Sequence, residues 1–219
     1  MTLRRLSCCV IVLLSVCPQL LPAQHGTVGL QVVFGDYREV SADLHYRGSG
    51  GGVTGSFTFK KLGIEGSVAG INYDPVAGST AGASFKATQL DVRVRYYIAG
   101  PASAEVGIVN RKAKPEFEAQ SMGAVRAGVR MSYPLGPGVH MGLRGGMLFG
   151  SKFSGGGTVS GVGALELGLN MAVDGLKRRL RLTGDYDFQR VARTTGSGPG
   201  KADVPIQQAL GRVGIAVAF

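Results

Sequence analysis

From Thr27 onward, apolar and polar residues alternate with a period of two, the spacing of a β-strand with unlike faces, not the 3.6 of a helix. The clearest stretch is 89–98. Leu90, Val92, Val94, Tyr96 and Ile98 share one face, and Gln89, Asp91, Arg93, Arg95 and Tyr97 share the other. The same pattern sets Val125, Ala127, Val129 and Met131 against Arg126, Gly128, Arg130 and Ser132, and Leu165, Leu167, Leu169 and Met171 against Glu166, Gly168 and Asn170. It recurs over 180–188 and 208–219. Extended along the chain, it predicts an all-β protein of about ten strands: 27–37, 51–60, 62–73, 85–98, 103–111, 121–133, 139–149, 159–173, 178–190 and 206–219. Eight strands are the alternative, because 27–60 and 103–120 alternate least clearly. Most of these segments match or exceed the roughly 9–11 residues a tilted strand needs to cross hydrocarbon. Strands in soluble sheets typically run to about five or six.

The connections alternate in length. Short links at 60–62, 100–102, 134–138 and 174–177 are interleaved with longer Gly-, Ser- and charge-rich ones at 38–50, 74–84, 112–120, 150–158 and 191–205. Short turns on one side and long loops on the other predict a transmembrane antiparallel up-and-down β-barrel, with both chain ends on the periplasmic side. Aromatic residues fall near the strand ends: Phe57, Phe59, Tyr96, Tyr133 and Phe219 by the short turns, and Phe34, Tyr73, Phe149 and Phe188 by the long loops. Two such belts are expected at the two water–lipid boundaries. A secreted sandwich or a soluble ligand-binding barrel would have the opposite polarity, with apolar residues inside. Here the apolar face is dense in Leu, Val, Ile and Met, while the polar face mixes small residues with charges of both signs. That contrast favours an apolar exterior.

Composition agrees with an exported membrane domain. Only 17% of the 219 residues are charged, and 36 are Gly without a three-residue period, which excludes collagen. Arg4 and Arg5, then the apolar run 6–16, then Pro18 to Ala23, follow the order of a secretory signal peptide. This predicts a leader over 1–23 and a barrel domain over 24–219 in a Gram-negative-type envelope. The segment 14–17 also has the outline of a lipoprotein box ending at Cys17. Cys8, Cys9 and Cys17 all precede residue 24, so the barrel domain has no disulfide and no thiolate metal site. No metal or cofactor is expected. Without Arg4 and Arg5 the chain keeps 22 basic and 14 acidic residues, a formal charge of +8. The basic residues are dispersed and no recognition helix, finger or RNA-binding motif accompanies them, so nucleic acid is not expected as a partner.

The chain closes with Arg212-Val213-Gly214-Ile215-Ala216-Val217-Ala218-Phe219. Arg212, Gly214, Val217 and the terminal aromatic Phe219 resemble the last-strand signal of bacterial outer-membrane proteins. With the strand pattern over 24–219, the resemblance is to small outer-membrane β-barrels of OmpA/OmpX-like architecture. It implies insertion by the barrel assembly machinery and outer-membrane lipids and lipopolysaccharide as surroundings. It implies no single activity.

The alternation points a charged set into the lumen: Glu65, Asp91, Arg93, Arg95, Glu105, Arg126, Arg130, His140, Arg144, Glu166, Arg181, Asp185, Asp187 and Arg212. One reading is an ion-paired filling that occludes the barrel, since small barrels are nearly filled by side chains and an unpaired buried charge costs about 3–5 kcal/mol. The other is the lining of a narrow, porin-like channel for small solutes. Asp185 and Asp187 share a strand face and read as counterions to the arginines. A rim enzyme acting on lipid A or peptide would need His45, expected in the first long loop, beside Ser41 or Ser49. The expected role is structural or surface-interacting, with Arg38, Arg47, Lys112, Lys114, Lys152 and Lys201 available to lipid phosphates. Gly48–Gly52 and Gly155–Gly157 lack the Lys-Ser/Thr and helix of a phosphate loop and read as flexible loops.

Overall fold

The computed structural model describes residues 24–157, 159, 164–175, 179–196 and 198–219. The expected leader 1–23, with its three cysteines, lies outside them, as do 160–163 and 176–178. Ten antiparallel strands close into an up-and-down barrel in which each pairs with its neighbours in sequence and the last returns to the first. They are β1 (Gln24–Glu39), β2 (Leu44–Phe59), β3 (Leu62–Pro75), β4 (Phe85–Ala99), β5 (Ala102–Ala113), β6 (Met122–Gly136), β7 (Val139–Phe153), β8 (Ala164–Gly175), β9 (Leu180–Val191) and β12 (Ile206–Ala218). The short pair β10 (Thr194–Thr195) and β11 (Ala202–Asp203) forms a separate hairpin over one mouth. Closure is complete: β1 pairs with β12 from Thr27–Ala218 to Glu39–Ile206. A barrel leaves no unpaired strand edge, so every strand can satisfy its backbone groups within the sheet.

The alternation is realised with apolar side chains outward. Leu30, Val32, Val68, Ile108, Val129, Leu167, Leu182, Val213 and Ile215 are exposed, Leu30 at 66% and Val213 at 61%, while Arg93, Arg126 and Asp187 are buried. A contiguous apolar belt around a charged interior reverses the polarity of a water-soluble barrel. The barrel strands run 12 to 16 residues, enough to cross hydrocarbon and project beyond it.

Three features differ from the sequence expectation. The link expected at 38–50 is a tight turn, Val40–Ala42 as one turn of 3-10 helix with Asp43 in left-handed backbone (φ 50). The Gly-rich run 48–52 is not a loop but the middle of β2. Its glycines are required by close strand approach: a Cβ at Gly50 would lie 1.8 Å from the Gly70 carbonyl oxygen, and one at Gly52 would lie 2.2 Å from that of Val68. Tyr73 is not in the aromatic belt. It is 1% exposed and points into the lumen, whereas Phe34, Phe57, Tyr96, Phe149 and Phe219 face outward.

Gln24, Phe219 and the turns at 60–61, 100–101 and 137–138 lie at one mouth, the turn mouth. The connections 40–43, 76–84 and 114–121, with the described residues that follow β7 (154–157) and β9 (192–196), lie at the other, the loop mouth.

Candidate functional site: the barrel interior

Inward positions run odd on β1, β3, β4, β5 and β9 and even on β2, β6, β8, β12 and on β7 as far as Leu148, beyond which a bulge turns Phe153 inward. This register brings charges from six strands together at mid-barrel. Arg93 on β4 donates from Nε to Asp91 (3.0 Å), and from Nη2 to Asp91 (3.1 Å), Asp187 (3.2 Å) and Glu166 (3.3 Å). Arg126 on β6 donates to Glu166 at 2.9 Å and lies 3.1 Å from Asp91. Arg144 on β7 makes a two-pronged contact with Asp185 at 2.9 and 3.0 Å and also donates to Asp187. Arg212 on β12 donates to Asp185 at 2.7 Å and to Asp187. Asp187, 1% exposed, therefore accepts from three guanidinium groups.

Nearer the turn mouth, Arg130 grips both carboxylate oxygens of Glu65 at 2.8 and 2.9 Å and lies 2.6 Å from Glu105. Arg95 completes this group 3.2 Å from Glu65. Arg181 grips Asp174 at 2.6 and 3.1 Å, beside His140 at 3.7 Å. The network holds seven arginines (93, 95, 126, 130, 144, 181, 212) and seven carboxylates (65, 91, 105, 166, 174, 185, 187), each within ion-pair distance of a partner. It is electrically neutral as a unit, and pairing of this kind offsets the desolvation cost of burying charge. Arginine suits it because its planar fork serves several carboxylates at once and keeps its proton.

Of the expected lumen residues, all but His140 sit inside this network; the His140 side chain is 49% exposed at the turn mouth. Asp174 and Arg111 were missed. Both continue the alternation of their strands, so the parity of Glu166 and Glu105 points to them. Of the expected assembly-signal residues, Arg212 is buried in the network, Val217 and Phe219 face outward, and Gly214 lies close to the Leu30 carbonyl.

One glycine is built into the site. A Cβ at Gly168 would lie 2.2 Å from Arg144 Nε and 2.6 Å from its Cγ, so the bare backbone of β8 is what lets Arg144 reach β9. Replacing Gly168 with Val should displace Arg144 and destabilise the barrel by about 1–3 kcal/mol. Urea unfolding in detergent would read the lowered midpoint, and an unchanged midpoint would mean that Arg144 adapts freely.

Toward the loop mouth the filling changes character. Arg111, 2% exposed, donates to Gln208 at 3.0 Å and to the Gln120 carbonyl at 2.6 Å, with its guanidinium 4.5 Å from the Tyr37 ring centre. Gln208 in turn donates to Tyr73 and Gln89. Above them Tyr37, Tyr46, Tyr73, Phe85 and Phe117 form one cluster. Phe85 stacks on Tyr73 at 4.8 Å and meets Tyr46 edge-on at 5.0 Å. Val33, Ile71, Val109, Leu148, Phe153, Val191 and Leu210 pack around them. Toward the turn mouth a cavity of about 180 Å³ remains, lined by Gln31, Thr54, Ser56, Asn170, Thr183 and the lower charges. Gln31 and Asn170 each carry a buried polar atom with no protein hydrogen-bond partner, so these walls suit water.

His45 lies on β2, not in a loop, with Nε2 2.9 Å from Asp36 Oδ2; Ser41 donates to the Asp203 carbonyl. Among the described residues no group of three His, Cys, Asp or Glu side chains is placed to hold a metal ion.

No family model matches the sequence, and no curated protein matches it. The solved structures similar to the chain include Neisserial surface protein A, at 10% identity over 89% of this chain and 97% of that one (TM-score 0.42). They also include the translocator domain of the autotransporter NalP from Neisseria meningitidis, at 15% identity over 99% and 94% (TM-score 0.44). A third is the outer-membrane protease OmpT from Escherichia coli, at 8% identity over 94% and 100% (TM-score 0.46).

Proposed function

We propose that the chain is an integral outer-membrane β-barrel with an occluded interior, serving a structural or surface-interaction role through its loop mouth. The supporting observation is the pair of barriers in series. A neutral set of seven arginines and seven carboxylates occupies the lumen from its middle toward the turn mouth, and an aromatic cluster fills the space above it. An ion entering from the turn mouth meets side chains already paired with each other, and displacing them strands buried charge. The small polar cavity, which lends the narrow-channel alternative its support, reaches only as far as Arg93 and Asp91.

In this reading residues 1–23 are a cleaved leader, and Arg212, Gly214, Val217 and Phe219 are recognised by the barrel assembly machinery. The turn mouth faces the periplasm. The basic residues near the loop mouth, Arg38, Arg47, Lys112, Lys114, Lys152 and Lys201, meet lipopolysaccharide phosphates. Planar-bilayer recording tests the occlusion: the purified barrel should insert without discrete openings. Reproducible single-channel steps would overturn it in favour of the channel.

A further inference from the structure

The outer surface near the loop mouth has a feature that the even apolar belt does not explain. Pairing across β9, β12, β1 and β2 aligns successive outward rungs. Tyr186, Gly211, Phe34 and Ser49 form one; Phe188, Ala209, Asp36 and Arg47 form the next; Arg190, Gln207, Arg38 and His45 form the third. On β12 the two lower rungs carry only Gly211 and Ala209, between Phe34 on one side and Tyr186 and Phe188 on the other. The result is a groove of about 650 Å³ in the outer wall, with apolar and aromatic sides and Asp36, Arg38 and Arg47 at its upper end. A Cβ built at Gly211 meets nothing within 4 Å, so the floor is open and not filled by a neighbour.

The charges at the upper end are basic in sum. Arg38 and Arg47 line the groove, and Arg190 lies on the same rung as Arg38 across Gln207, against one carboxylate, Asp36. Asp36 lies 3.1 Å from Arg38 and 3.6 Å from Arg47, and accepts or shares a proton with His45 at 2.9 Å. It orients two guanidinium groups while neutralising one. The side chains of Arg38 and Arg47 are 49% and 70% exposed, so their remaining donors are available to an external ligand. Guanidinium forks are matched to phosphate oxygens. An apolar groove below a cationic rim, on a wall immersed in acyl chains, is complementary to a molecule with an anionic head and a hydrocarbon tail.

We infer that this face binds one phosphorylated membrane lipid, its phosphate held by Arg38, Arg47 and Arg190 and one acyl chain lying over Gly211 and Ala209 between Phe34 and Tyr186. The inference rests on the membrane reading above and specifies a site within it. The occupant comes from the bilayer, because the groove opens toward hydrocarbon, where a soluble anion or a peptide does not reach.

Native mass spectrometry of the purified barrel tests this, using phosphatidylglycerol, diacylglycerol and inorganic phosphate as separate probes. Phosphatidylglycerol should be retained at one per barrel, about tenfold more strongly than diacylglycerol. Arg38→Ser/Arg47→Ser/Arg190→Ser should abolish that preference. Gly211→Leu, which fills the groove without touching a charge, should weaken retention of phosphatidylglycerol by about tenfold. Heat-modifiable gel mobility confirms that each variant is folded. Should Gly211→Leu not fold, the arginine variant decides alone, since its exposed side chains support no buried contact. Equal retention of diacylglycerol, full retention by either folded variant, or displacement of the lipid by equimolar inorganic phosphate would overturn the site. A barrel that stays monomeric in water without detergent would instead overturn the membrane reading itself.

Discussion

Replacing Asp187 with Ala is expected to cost about 3–5 kcal/mol of barrel stability, the scale for removing one partner from a buried ionic cluster. The carboxylate is 1% exposed and accepts from Arg93, Arg144 and Arg212. Without it the cluster carries an excess positive charge that cannot leave, because arginine does not release its proton in the physiological range. Asp187→Asn should be nearly as damaging, since it keeps the shape but not the charge. Asp36→Ala, at the exposed rim, removes contacts to Arg38 and His45 and should cost under about 1 kcal/mol. Urea unfolding in detergent compares them directly. Adding Arg212→Met to Asp187→Ala restores the charge balance and should recover part of the loss, a coupling expected of side chains in one network. Equal midpoints for Asp187→Ala and Asp36→Ala would mean that the interior charges are well solvated, and the occluded reading would lose its basis.

Most of this interior was legible in the sequence because a strand has a strict period. Once Asp91, Arg93 and Arg95 are on one face of 89–98, the inward positions of β4 follow, and the same holds for Glu166 on β8 and Asp185 and Asp187 on β9. Carried to the ends of the same strands, the parity of Glu105 reaches Arg111 and that of Glu166 reaches Asp174. Glycine breaks the method. Over 48–52 there is no alternation to read, so the middle of β2 passed for a loop, although Gly50 and Gly52 are there because the β3 backbone comes too close for a side chain. Tyr73 shows a second limit. An aromatic ring near a strand end suits either a lipid boundary or a packed lumen, and its position alone does not distinguish them; its parity with Ala69 and Ile71 does. The outer groove was least legible of all. Arg38, Arg190 and Gly211 each read as outward, but their meeting depends on the register of β9, β12 and β1, which no single strand encodes.

The two barriers in the lumen make different physical demands, and a substitution in the aromatic one separates them. Phe85 is 4% exposed and touches four rings, with centroids 4.7 Å from Phe117, 4.8 Å from Tyr73, 5.0 Å from Tyr46 and 6.2 Å from Tyr37. Phe85→Ala removes that packing from the loop mouth and should cost about 3–5 kcal/mol, the range for truncating a buried aromatic side chain. Conductance should nevertheless remain absent, because the ion-paired layer below still spans the lumen from β3 to β12. The same membrane recording applied to Phe85→Ala/Asp187→Ala should give the first flicker of current, since only the double variant loosens both layers. Openings in Phe85→Ala alone would make the aromatic cluster the sole seal and the charged layer a conduit, reversing the roles argued from the geometry.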